Sequence, residues 1–102
     1  MGQWHEVLKI ADLKPGHGVQ SSIVGKVLAV FNVEGKFYAV DDTCTHAGAS
    51  LAEGSVAGSV VTCPWHGATF DITCGKVLSE PAADDVASYK VKIEGADILV
   101  EV

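Results

Sequence analysis

The chain has 102 residues, enough for one domain with its own core and too few for a second catalytic domain. Almost half of it is hydrophobic, with Val and Ala dominant and no long Leu-rich helical periodicity, while Gly recurs at intervals that suit short strands and tight turns. A formal charge of −6 argues against nucleic-acid binding, which needs a basic surface, and fits docking onto a basic patch of a partner protein.

In chain order, Trp4 to Ile10 alternates and is expected to pair as a strand. Ala11 to Gly16 reads as a turn, or one helical turn stopped by Pro15 and Gly16. Gly18 to Val24 is a strand ended by Gly25. Lys26 to Val33 and Lys36 to Val40 form the clearest hairpin, around Glu34-Gly35, and it runs directly into Cys44. Glu53 to Gly58 is too Gly-rich for a helix. Ser59 to Thr62 is a short strand leading to Cys63. Ala68 to Ile72 and Lys76 to Leu78 read as strands around Thr73-Cys74-Gly75. The acidic loop Glu80 to Asp85 precedes an alternating strand, Ser88 to Ile93, a turn over residues 94–97 and a last strand, Ile98 to Val102. The sum is an all-β domain of short antiparallel strands.

No basic n-region with an apolar h-region opens the chain, and Glu6 stands where a myristoylation signal needs Ser or Thr. The longest apolar run, Val27 to Phe31, is far below membrane-spanning length. Three cysteines argue against a disulfide framework. A soluble, cytoplasmic protein without a membrane or nucleic-acid partner is the expectation.

Two loops carry the chemistry. Cys44-Thr45-His46 and Cys63-Pro64-Trp65-His66 each offer one thiolate and one imidazole, in the same order, separated by sixteen residues. Cys and His at short spacing, repeated once, is a metal-site pattern. Two readings fit it: a structural Cys₂His₂ zinc module, or an iron–sulfur centre. A Cys-x-His first half is unusual for a zinc finger, and a catalytic Cys/His pair would not need four such residues.

The spacing Cys-x-His, sixteen residues, Cys-x-x-His resembles the Rieske-type [2Fe–2S] proteins, in which two Cys bind one iron and two His the other. The similarity extends over essentially the whole chain, through Lys14-Pro15-Gly16, Val40-Asp41-Asp42, Gly67 to Asp71 and the closing strands. It implies an antiparallel β-sandwich with a small cluster-binding subdomain at about residues 42–80, inside a single domain of residues 1–102. It implies Cys44, His46, Cys63 and His66 as ligands, the two His near the surface as the electron exit. Pro81 is the candidate for a cluster-covering loop, Trp65 for shielding from water, and Gly48 and Gly67 for close backbone approach to the cluster.

High-potential relatives carry an extra Cys in each loop and Ser and Tyr donors to the sulfurs; here the matching residues are Ala49, Trp65, Ala68 and Phe70. The resemblance therefore implies a low-potential Rieske ferredoxin, a one-electron carrier between a flavoprotein reductase and a ring-hydroxylating terminal oxygenase, not itself an enzyme. A small Rieske subunit of another redox enzyme, such as a nitrite reductase, is the alternative. Cys74, without a nearby His, reads as a free thiol, and His5 and His17 as surface residues. Trp4 reads as a core or edge aromatic, and Asp84 and Asp85 first as a solvated loop, second as a docking patch.

Overall fold

A computed structural model describes residues 2–43, 49–64, 67–79 and 84–102. Their strands are β1 Trp4–Lys9, β2 Gly18–Ile23, β3 Lys26–Val33, β4 Lys36–Asp41, β5 Ser55–Ala57, β6 Val60–Thr62, β7 Thr69–Asp71, β8 Ser88–Tyr89, β9 Val91–Glu94 and β10 Asp97–Glu101. They form three antiparallel sheets in the orders β1-β10-β9, β2-β3-β4-β8 and β5-β6-β7. Single 3-10 turns at Ile10–Asp12 and Leu51–Glu53 are the helical elements among the described residues. The all-β expectation holds.

Turn chemistry explains the long hairpins. Glu34 and Gly35 both take positive φ, 54° and 91°, and join β3 to β4 in a two-residue loop whose twist matches the strands. Val24 and Gly25 do the same between β2 and β3, at 50° and 76°. A β-branched residue rarely adopts that conformation. At Val24 the pairing of Ile23 with Lys26 imposes it, and the side chain is left exposed.

The run Leu28 to Phe31 is fully buried because β3 has no solvent face there. Successive side chains point to opposite sides of a strand. Leu28 and Val30 enter a core with Leu13, Ala39, Ile98 and Val100. Ala29 and Phe31 enter a second core with Val40, Leu51, Val61, Phe70 and Ile72. Strand β3 is therefore a wall shared by two cores. Buried Asn32 closes its end: Nδ2 donates to the Leu13 carbonyl at 2.9 Å and Oδ1 accepts from the Gly35 N–H at 2.8 Å.

Three expected elements differ. The alternating stretch Ser88 to Ile93 is two strands, with β8 on β4 and β9 on β10. The chain changes sheets at Lys90, whose carbonyl accepts from Glu101. Lys76 to Leu78 runs beside β7 as a bridge, Phe70 with Val77, flanked by hydrogen bonds from Leu78 to Thr69 and from Asp71 to Lys76, while the Val77 N–H is taken by the Asp85 carboxylate at 2.8 Å. Ser55–Ala57 is a strand where only a small-residue stretch was expected; Gly58, at φ 60°, turns it back onto β6.

Candidate metal centre

Each ligand loop leaves the fold through a closed root. At the first, Thr43 bridges Ser50, and the Leu51 N–H donates to the Asp42 carbonyl at 2.7 Å. At the second, Thr62 pairs with Thr69, the Cys63 N–H donates to the Ala68 carbonyl at 2.7 Å, and Gly67 donates back to Cys63 at 3.3 Å. A root closed by backbone hydrogen bonds restricts where the loop's side chains can go before any metal arrives. Both roots also meet in the same core. Ala49 ends the first loop and Cys63 and Ala68 flank the second, and all three belong to the buried cluster around Phe31 and Phe70.

Of the four candidate ligands, Cys63 is described, at 2% exposure. Cys44, His46 and His66 lie outside the described residues, as do Gly48, Trp65 and Pro81. The described part suits an iron–sulfur cluster: a soft sulfur donor held away from water, with small alanines beside it on either loop. Gly67 takes φ +78°, which its lack of a side chain makes cheap.

The remaining polar residues sort by geometry. Asp71 caps the end of β7, accepting from the Thr73 hydroxyl and N–H at 2.6 and 2.9 Å. Those two donors hold its carboxyl below the usual range. Tyr89 donates to Asp41 at 2.6 Å, and burial, with that hydrogen bond and the Asp41 charge, pushes its hydroxyl up to about 12. Asp84 and Asp85 are exposed, and Asp85 has a structural task at Val77. His17 is exposed and His5 half-buried on β1. Trp4 lies at the edge of its sheet with the Lys92 ammonium 4.5 Å from its ring centre.

Cys74 is exposed in the turn after β7 and forms no disulfide. A thiol reagent acting on the native, cluster-loaded protein is therefore expected to modify one sulfur per chain, and none after Cys74→Ser. Modification of the serine variant at the same rate would show that another cysteine is open.

Two residues with structural weight were not singled out from the sequence. Asp42 is a carboxylate at 2% exposure at the first root. Gly75 packs against the Val86 backbone after β7. Neither has a spacing signal, since both depend on chain segments distant in sequence.

Among the described residues no helix is long and apolar enough to cross a membrane. The chain is 34% identical over 99 residues to the ferredoxin component of a naphthalene 1,2-dioxygenase system from Pseudomonas putida, covering 97% of this chain and 95% of that one. Its structure superposes on the Sphingomonas yanoikuyae B1 ferredoxin with a TM-score of 0.92 at 31% identity, covering 98% and 99% of the two chains. It also superposes on a chain from a complex of reduced oxygenase and oxidized ferredoxin in carbazole 1,9a-dioxygenase, with TM-score 0.90, 36% identity and coverage of 96% and 92%. The Rieske [2Fe-2S] domain profile matches residues 3–90, a span that holds both roots. The buried Cys63 thus belongs to a domain whose cofactor is a Rieske-type [2Fe–2S] cluster, and the chain belongs to the Rieske [2Fe–2S] domain family.

Proposed function

We propose that this chain is a soluble, cytoplasmic one-electron carrier that passes electrons from a flavoprotein reductase to a terminal ring-hydroxylating oxygenase. Cys44 and Cys63 would hold one iron and His46 and His66 the other, within a cluster-binding subdomain at about residues 42–80 of the single domain. The bound cluster supplies a one-electron couple, and the protein is a transfer component that transforms no substrate itself. The observation that supports this reading is the common core beneath both loop roots, from which two separate Cys/His segments could serve one site.

The chain's own residues set the terms of transfer. Neutral imidazoles in place of two thiolates leave the cluster less negative, which favours reduction relative to an all-Cys cluster. Ala68 and Phe70, both fully buried, bring no hydroxyl to the sulfurs, which places the potential toward the low end of the Rieske range of about −150 to +300 mV.

Charge supports the choice of partner. Residues 41–85 carry Asp41, Asp42, Glu53, Asp71, Glu80, Asp84 and Asp85 against Lys76 alone, while acids and lysines balance in the rest of the chain. The whole formal charge of −6 therefore belongs to the part that bears the loops. A segment with that net charge is steered toward basic partners, and the steering weakens with salt.

Optical and EPR spectra before and after dithionite test the centre. A brown protein that bleaches, with a rhombic signal whose average g lies below that of an all-Cys cluster, is the expected result. Electron delivery from a reductase to an oxygenase should then require this protein and slow as ionic strength rises. A colourless protein with stoichiometric zinc would overturn the reading, and so would oxidation of aromatic compounds without any added oxygenase.

A further inference from the structure

We propose that Asp42 is the positioning residue of the first ligand loop and that its buried charge holds the reduction potential down. The proposal rests on the ligand assignment above.

Every hydrogen-bonding group of Asp42 ties the chain before Cys44 to something else. Its N–H donates to the Val27 carbonyl at 3.0 Å, on β3, and its carbonyl accepts from Leu51 beyond the loop. Oδ1 accepts from the Ser50 hydroxyl at 2.8 Å and from the Ala52 N–H at 3.0 Å. Oδ2 accepts from Gln20 Nε2 at 2.7 Å, on β2. One side chain thus joins both ends of the first loop to the sheet beneath it.

Gln20 presents its Nε2, Ala52 its backbone N–H and Ser50 its hydroxyl, so three donors face the two oxygens. That arrangement of donors favours negative charge on the two oxygens. Among the described residues no lysine forms an ion pair with it. Neutral dipoles orient toward the charge without cancelling it, and at 2% exposure water screens it poorly. A negative charge at the root of the first loop would oppose adding an electron to a cluster held by that loop and so favour its oxidised state.

The structure also supplies a near-isosteric way to remove the charge. In Asp42→Asn, Oδ1 can still accept from Ser50 and Ala52. Gln20 can turn its amide so that its oxygen accepts from the new Nδ2, and the root keeps its bonds. Ser50→Ala does the opposite, leaving the charge in place with one fewer donor facing it. The two variants should move the potential in opposite directions.

The experiment is a spectroelectrochemical titration of the cluster-loaded protein and both variants, with iron content and average g measured alongside. D42N is expected to keep iron and g value while favouring the reduced form by about tenfold, which is about 59 mV for one electron. S50A is expected to favour the oxidised form by about twofold. Unchanged potentials, or shifts of the same sign in both, would overturn the charge role, since a loosened loop has no reason to give opposite signs. If D42N fails to hold a cluster, the S50A result decides: a fall supports the proposal, and no change or a rise overturns it. Failure of the ligand assignment shows separately, as iron retained after Cys44→Ser.

Discussion

Replacing Cys63 with serine is expected to abolish the cluster, leaving colourless protein with iron below about one-tenth of the wild-type content. The substitution is nearly isosteric, and the root that holds residue 63 is made by backbone groups, the Cys63 N–H to Ala68 and the Gly67 N–H to Cys63. Local backbone geometry therefore survives while the donor changes from a soft thiolate to a hard hydroxyl that keeps its proton at neutral pH. Buried at 2% exposure, the new hydroxyl has no reason to ionise. Cys74→Ser, in an exposed turn, should retain the full iron content and serves as the matched control. Iron analysis and the visible spectrum read the outcome, and an unchanged spectrum in the Cys63 variant would remove this residue from the ligand set.

Gly75→Ala should produce the largest loss of stability outside the ligands. A methyl at this position would stand 2.1 Å from the Val86 carbonyl oxygen, and the backbone sits at φ +79°. Both objections act at once, and the neighbour is backbone, which cannot rotate aside. Val86 in turn donates to the Gly75 carbonyl at 2.8 Å and packs into the same core as Cys63 and Phe70. Displacing it opens the floor of the site. A cost of about 3 kcal/mol is expected, against total stabilities of about 5–15 kcal/mol for domains of this kind. For a chain this long that corresponds to a fall in Tm of about 15 °C. Thermal unfolding of the cluster-loaded variant is the measurement, and a fall of less than about 3 °C would mean that the Val86 segment yields freely.

The hairpins were legible because their information is local: Glu34-Gly35 carries its own turn preference, and the flanking residues carry the strand pattern. The Cys/His loops stand out in the sequence because cluster chemistry requires particular side chains at fixed spacing. The break at Lys90 was not, since Ser88 to Ile93 alternates smoothly and the change of sheet is decided by β4 and β10. Strand β5 escaped notice because Ser55 and Ala57 have weak strand preference and gain their order from β6. Asp42 belongs to the Val40-Asp41-Asp42 stretch of the resemblance, which says nothing of its burial. Only the approach of Gln20, Ser50 and Ala52 makes it a buried junction.

The double-sided burial of β3 also limits how this protein can be altered. A bulkier residue at Val30 must either displace Ile98 and Val100 or push the strand toward Phe70 and the core that holds Cys63. Close-packed interiors transmit such displacements. The half of the molecule that holds no ligand is therefore mechanically part of the redox site. An engineer who remodels the outer sheets for a new purpose will detune the electron carrier unless both sides of this one strand are redesigned together.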